Sequence, residues 1–144
     1  MIGLSIRLGV SLTAFGLAYG GGAPSDAAEG GVMGRVAVEI RNMRVEKSAN
    51  AFRFVHDRAF IETGGVGVTL TQGQVCFSSG QCIGKPVRYR IEAKKEFVFF
   101  NAEVEPLGAE EIFAYTYTGK DDNDHPVNVL FRIAVAGDKY QVLP

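Results

Sequence analysis

The chain has 144 residues, a formal net charge of −1, two cysteines and two histidines. This length suits one domain with a modest core and is too short for two. The near-neutral charge shows no excess of basic residues of the kind that nucleic-acid binding uses, so no nucleic-acid partner is expected.

The N-terminus has the layout of a secretory signal peptide. An uncharged run at 8–19 precedes Ser25 and Ala27, which have the spacing of a cleavage site. Gly20 and Ala23 are alternative cleavage positions, and Ala27 is favoured. A membrane anchor is the less favoured alternative, because this run is shorter than the roughly 20 apolar residues of a membrane span. We therefore expect a signal peptide at 1–27 and a single β-domain at 28–144. This domain would be periplasmic or secreted, and it would not span a membrane once the signal is removed.

The segment that follows is the hardest to assign. Residues 35–40 alternate between apolar and polar side chains, which predicts a strand. Residues 48–62 could form a pair of strands or a short helix capped by Ser48. In a helix, the apolar side chains of this segment would spread around the whole circumference and leave no polar face. Strands are therefore favoured.

The two cysteines indicate a β-hairpin closed by a disulfide. Cys76 and Cys82 flank the segment 77–81, and a turn with Gly80 in the left-handed conformation would place the two thiols opposite each other. Such bonds persist outside the reducing cytoplasm, which agrees with the expected signal peptide. If the strands pair outward from the two cysteines without interruption, the apolar side chains of the first strand face solvent. A bulge in one strand would turn them inward, and we place this bulge at Gly73 or Gly84.

The next two strands are predicted to form a hairpin of their own. Residues 87–93 and 97–104 alternate, and a short turn between them would set Ile91 opposite Val98 and Tyr89 opposite Phe100. In that arrangement Tyr89 and Phe100 point into the core.

The last three strands continue the same pattern. A turn at 106–109 would place Phe100 opposite Tyr115 on the strand 112–118. The aromatic residues Phe113, Tyr115 and Tyr117 would then point inward. Gly137 and Asp138 would form a two-residue turn that pairs Val135 with Tyr140 and Ile133 with Val142.

These elements predict an all-β fold of seven to eight short antiparallel strands. A meander of this kind forms either a small closed barrel or a sandwich of two sheets.

The first functional hypothesis is a non-catalytic binding module that docks a partner protein or inhibits an enzyme. The aromatic and arginine side chains expected on one outward face are typical of binding hot spots. This candidate binding face comprises Arg88, Arg90, Phe97, Phe99, Asn101 and Glu103.

An alternative hypothesis is a carrier that holds a small ligand in an aromatic interior. The candidate interior comprises Tyr89, Phe100, Phe113, Tyr115 and Tyr117. The simpler interpretation of Phe97 and Phe99 is that a second sheet, a loop or the segment 52–61 covers them, in which case they are ordinary core and the binding face is lost. This interpretation is favoured.

The third hypothesis is a hydrolase-type enzyme that uses His56 or His125, and it ranks last. No nucleophile motif surrounds either histidine, so no catalytic residue and no cofactor are expected. Asp121, Asp122 and Asp124 form a weak alternative metal site, because closely spaced carboxylates in a loop suit calcium. Such residues also crowd loops for turn formation alone, and this simpler interpretation is favoured.

Overall fold

The computed structural model describes residues 31–144, so the predicted signal peptide at 1–27 lies outside the described residues. Residues Val32–Pro144 form one compact unit. The described residues form eight strands: β1 Val36–Ser48, β2 Ala51–Glu62, β3 Val68–Cys76, β4 Cys82–Ile91, β5 Glu96–Val104, β6 Glu110–Asp121, β7 Pro126–Ala136 and β8 Lys139–Leu143. Within this part of the chain, no helix has the length and apolar character needed to cross a membrane.

The strands form two antiparallel sheets. One has three strands in the order β1-β2-β5, and the other has five in the order β4-β3-β6-β7-β8. The sheets are not closed into a barrel, so of the two predicted architectures the sandwich is the correct one. The segment 48–62 forms the end of β1 and all of β2, which confirms strands over a helix.

The disulfide hairpin is confirmed in detail. Cys76 pairs with Cys82 across β3 and β4, and the two residues form a disulfide. The N–H of Phe77 donates to the carbonyl of Gln81 at 2.8 Å, and Gly80 has a φ of 87°. Glycine adopts this left-handed conformation without a steric cost, which explains its place in the turn.

The predicted bulge exists, but at a different position. The register of β3 shifts between Leu70 and Gln72 rather than at Gly73 or Gly84. The shift sets Leu70 opposite Tyr89, so that both side chains point into the sandwich as the alternation requires.

The predicted hairpins around β5 are wrong. β5 lies in the other sheet, where it pairs with β2, so Tyr89 does not face Phe100 and Ile91 does not face Val98 as strand partners. Likewise β6 pairs with β3 and β7, so Phe100 does not lie opposite Tyr115. Alternation shows which face of a strand is buried but not which strand pairs with it, and β2 offers β5 an equally apolar partner.

A second bulge reverses the predicted orientation of β5. Opposite Asp57 on β2, β5 contributes both Phe100 and Asn101. As a result Phe97 and Phe99 point toward the core, whereas Phe100 is 66% exposed. The assignment of Phe100 to the interior is therefore wrong.

The predicted hairpin of β7 and β8 is confirmed, with Val135 opposite Tyr140 and Ile133 opposite Val142. The core lies between the sheets, where Phe60 of β2 meets Tyr117 of β6 with ring centroids 5.0 Å apart. Fully buried side chains on both inner faces complete it: Phe54, Val68, Leu70, Ile91, Phe113 and Ile133.

Candidate functional site

A cleft of about 340 Å³ opens between the two sheets, on the side where β5 faces β3 and β4. The three-stranded sheet contributes residues from β2 and β5, and the five-stranded sheet contributes residues from β3, β4 and β6. The lining side chains are mainly aromatic at the inner end and polar at the mouth. They include Arg58, Val75, Ile83, Lys85, Tyr89, Phe99, Ala102, Glu103, Tyr115 and Tyr117.

Aromatic rings form the walls of this cleft. Tyr89 stacks on Phe97 with a centroid distance of 4.8 Å and on Phe99 at 5.9 Å. Tyr115 stacks on Phe131 at 4.9 Å. Burial raises the pKa of Tyr89 and of Tyr115, so both present neutral hydroxyl groups. The walls are therefore apolar surfaces with a few hydroxyl groups.

The one charged side chain at the inner end of the cleft is Arg58, which is only 6% exposed. Its Nε donates a hydrogen bond to His56 Nε2 at 2.9 Å, and its Nη1 donates to the Tyr117 hydroxyl at 2.9 Å. The Cζ atom lies 4.0 Å from the ring centroid of Tyr115, a cation–π contact. Neutral and aromatic groups thus hold the guanidinium in one orientation.

No acidic side chain neutralises Arg58 within the described part of the chain. Ion pairs within 4.0 Å form at Arg41, Arg53, Arg90 and Lys120, but none includes Arg58. Buried arginines are normally paired with a carboxylate, because an isolated charge is costly to remove from water. A net positive charge therefore remains at the inner end of the cleft.

The hydrogen bond to His56 holds the guanidinium of Arg58 in position. The imidazole is fully buried, and because Nε2 accepts a hydrogen bond, the proton of the neutral ring must be on Nδ1. Burial, followed by the positive charge of Arg58, lowers the pKa of His56 to about 4. Nδ1 has no hydrogen-bond partner among the described residues. His56 is therefore a neutral acceptor, and in the described part of the chain it is hydrogen-bonded to Arg58 rather than to a hydroxyl or thiol.

Lys85 and Glu103 lie at the mouth of the cleft, and both are exposed. Glu103 forms an ion pair with Arg53 at 3.4 Å, whereas no carboxylate lies within 4.0 Å of the Lys85 ammonium group among residues 31–144. The charges of the mouth and of the inner end together are positive.

The candidate binding face does not exist as one surface. Arg88 and Arg90 lie on β4 in the five-stranded sheet, whereas Phe97, Phe99, Asn101 and Glu103 lie on β5 in the other. Phe97 and Phe99 are half-buried against Tyr89. The reason is the change of sheet between β4 and β5, which turns the two phenylalanines inward. Arg90 is engaged by Glu92 and Asp122.

The candidate interior is partly assembled as predicted. Tyr89, Tyr115 and Tyr117 all line the cleft. Phe113 lies deeper in the core, where it packs edge to face on Phe77 at 5.5 Å. Phe100 is outside.

Asp121, at the start of the loop after β6, forms hydrogen bonds with nearby backbone groups. Asp121 accepts backbone hydrogen bonds from Gly34, Asn123 and His125. Burial opposes ionisation of Asp121, but these hydrogen bonds outweigh it and lower its pKa to about 2. The His125 ring contacts the same carboxylate at 3.0 Å. Within residues 31–144, no group of three or more histidine, cysteine, aspartate or glutamate residues could hold a metal ion.

Asp122 forms an ion pair with Arg90 at 2.6 Å, and the exposed Asp124 forms one with Lys120 at 3.9 Å. The three aspartates named as a weak metal site therefore point to different partners.

Arg58 is the functional candidate that the sequence analysis missed. The pattern that would reveal it is the alternation of β2, in which Phe54, His56, Arg58 and Phe60 occupy one face. Two polar residues between two phenylalanines on a buried face indicate a site rather than plain core, since buried polar groups require partners.

Comparison with known proteins supports the fold. No protein-family model matches this chain, and no curated protein matches its sequence. A candidate ApaA protein from Bordetella pertussis is similar with a TM-score of 0.54 and 10% sequence identity, over 77% of this chain and 94% of that chain. Structural genomics target SoR45 is similar with a TM-score of 0.50 and 13% identity, over 77% and 85%. At these identities the likeness concerns the fold alone.

Proposed function

We propose that this protein is a non-catalytic domain that binds a small molecule in the cleft between its two sheets. The observation that carries the proposal is the cleft of about 340 Å³ with Tyr89, Tyr115 and Tyr117 in its walls. Ligand sites of proteins are clefts of roughly 300–1,000 Å³, mainly apolar, with a few fixed polar groups. The cleft lies at the lower end of that range, which suits a compact ligand with one or two rings.

Two features favour binding over catalysis. His56 is buried and neutral with Arg58 as its partner, and His125 contacts Asp121. Nucleophilic catalysis needs a hydroxyl or thiol within hydrogen-bond reach of a basic group. Neither histidine forms such a hydrogen bond among the described residues.

The proposed compartment is the periplasm or the extracellular space. The disulfide between Cys76 and Cys82 supports this proposal, since such bonds are rare in the reducing cytoplasm. The expected signal peptide at 1–27 agrees with it.

Docking of a partner protein is the second candidate function. The observation that favours it is Phe100, which is 66% exposed on the three-stranded sheet. A single exposed aromatic residue is a weaker signal than the cleft, because isolated apolar side chains are common on protein surfaces.

The neutral fluorophore N-phenyl-1-naphthylamine tests the cleft, because its emission rises when it enters an apolar site. Wild type should bind it in the micromolar range. Ala102→Leu places extra methyl groups in the cleft and should abolish binding, whereas Ala114→Leu adds the same bulk outside the cleft and should not. Thermal unfolding verifies that both variants fold. Loss of binding in neither variant would place the fluorophore elsewhere and reject the cleft as the site.

A further inference from the structure

We propose that the ligand of this cleft is a small organic anion, whose acidic group pairs with Arg58 while its ring or chain packs on the tyrosine walls. This inference rests on the proposed function and adds the charge of the ligand. Its basis is the juxtaposition of a buried, carboxylate-free guanidinium with an aromatic cavity that reaches solvent.

The first step is the hydrogen-bonding capacity of Arg58. A guanidinium carries five N–H donors in a planar fork. Two of these N–H groups donate to the imidazole of His56 and the hydroxyl of Tyr117, and the Tyr115 hydroxyl is a third hydrogen-bond partner of the guanidinium. Two donors therefore remain for a ligand in the cleft that Arg58 lines. A planar carboxylate matches this fork with two parallel hydrogen bonds.

The second step is the charge. Tyr115 and Phe131 lie 4.0 Å and 5.7 Å from the guanidinium carbon, and their rings stabilise a cation without neutralising it. A ligand that brings a negative charge would remove the cost of the isolated charge. A cationic ligand would be repelled, and a neutral one would leave the charge unpaired.

The third step is the fixed orientation of the side chain. His56 accepts from Nε and Tyr117 from Nη1, so the guanidinium is held before any ligand arrives. A preorganised donor loses little conformational entropy on binding. His56 and Tyr117 are therefore positioning residues, and Arg58 is the residue that contacts the ligand.

The charges at the mouth of the cleft also favour an anionic ligand. Lys85 adds a positive charge there, and the negative charge of Glu103 is already countered by Arg53. Arg53 also pairs with Glu46, so it offsets the negative charge of Glu103 only in part. We expect Glu103 to reduce, but not reverse, the preference for anions.

A matched pair of fluorophores tests the charge. The compound 8-anilinonaphthalene-1-sulfonate has the rings of N-phenyl-1-naphthylamine plus one sulfonate. Wild type should bind the sulfonate about tenfold more tightly than the neutral compound, as a charge-assisted contact implies. In Arg58→Met most of this preference should be lost, and only the smaller part that Lys85 contributes should remain. The control Arg88→Met removes the same charge from an exposed position outside the cleft and should retain the preference.

A second measurement does not depend on a variant. In wild type, addition of 2-naphthoate should shift the NMR signal of the Arg58 Nε–H group, and 2-naphthylmethanol should shift it much less. Equal affinity for charged and neutral probes in wild type would overturn the anion inference while leaving the binding cleft intact. Absence of binding by all four compounds would reject the proposed function as well.

Discussion

Asp57 Oδ1 accepts a hydrogen bond from the backbone N–H of Asn101 at 3.0 Å. This contact lies at the bulge where β5 places Phe100 and Asn101 opposite Asp57. A bulge reverses the alternation of a strand. The hydrogen bond therefore lies at the point where the side chain of Phe99 faces the cleft and that of Phe100 faces solvent.

The same carboxylate holds a bulge on the other side of β2. Asp57 Oδ2 accepts from Asn42 Nδ2 at 2.8 Å, and the register of β1 shifts between Arg41 and Arg44. Asn42 has a φ of 53° and Asn101 a φ of 54°, both left-handed. The hydrogen bonds from Asn42 and then from Asn101 lower the pKa of Asp57. One acidic residue on the central strand thus supports both bulges.

Replacement of Asn101 by valine should destabilise the protein more than replacement by glycine. Both variants lose the hydrogen bond from Arg44, but only valine is strained at a φ of 54°. We expect the free energy of unfolding of Asn101→Val to fall by about 1–2 kcal/mol relative to Asn101→Gly. Urea unfolding measures the difference. Equal stability of the two variants would show that the left-handed backbone is not required.

Replacement of Glu62 should cost more stability than replacement of an exposed carboxylate. Glu62 is 1% exposed and accepts backbone hydrogen bonds from Arg35, Gly64, Gly65 and Lys94, which link β2 to the crossing between β4 and β5. Glu62→Gln places an NH₂ group against N–H donors and should cost about 2–3 kcal/mol.

The exposed residue Glu39, which forms an ion pair with Arg41, is the matched control. Glu39→Gln should change the free energy of unfolding by less than about 0.5 kcal/mol. Chemical unfolding at pH 7 compares the two. A cost for Glu62→Gln no greater than for Glu39→Gln would mean that the backbone contacts of Glu62 contribute little.

Stability should fall as the pH decreases from 6.5 toward 4, because His56 resists protonation in the folded protein. Its folded pKa is about 4, below the usual value of 6.5, so the unfolded chain binds more protons in this range. The contribution of His56 is complete above pH 6.5 and should drop by about 2 kcal/mol at pH 5.

The variant His56→Gln should remove this component and flatten the profile. The pH dependence of the free energy of unfolding is measured with urea between pH 7.5 and 5. In the folded protein Glu62 and Asp121 stay ionised over this range, because the pKa of each is about 2. His125 is present in both proteins and cancels from the comparison. Parallel profiles for wild type and variant would contradict a depressed pKa.

The disulfide should make a modest contribution to stability. Cys76 and Cys82 are separated by six positions, and chain-entropy arithmetic for a ring of this size gives about 2 kcal/mol. The double variant Cys76→Ser, Cys82→Ser should remain folded with a lower Tm. The remaining contacts of this hairpin, such as Glu111 with the N–H of Ser78, would persist. Complete unfolding would show that the bond is essential rather than supportive.

Local patterns predicted those parts of the fold that depend on neighbours in sequence. The Cys76–Cys82 hairpin and the pairing of Val135 with Tyr140 follow from turn residues and alternation, because a short turn leaves few registers. The alternation of apolar and polar residues predicts a bulge in this hairpin but not its position at Thr71. An extra residue at any nearby position would restore the same alternation.

The site was harder to predict than the fold. Tyr89, Tyr115 and Tyr117 were placed together because all three lie on apolar faces. The position of Arg58 in the cleft is not evident from local sequence, because a single charged residue in a strand usually lies on the solvent side. The orientation of Phe100 was wrong because the bulge at Asn101 depends on Asp57, which is distant in sequence.

The sequence alone determined an all-β chain with apolar inner faces, one closed hairpin tip and tight turns, since these depend on side-chain period and on residues a few positions apart. Tertiary structure decided that β5 joins β2, that the sandwich stays open beside β4, and that Arg58 lies in that opening without a carboxylate. The physical reason is that alternation fixes the buried face of a strand, whereas the choice of partner depends on contacts between residues far apart in the chain.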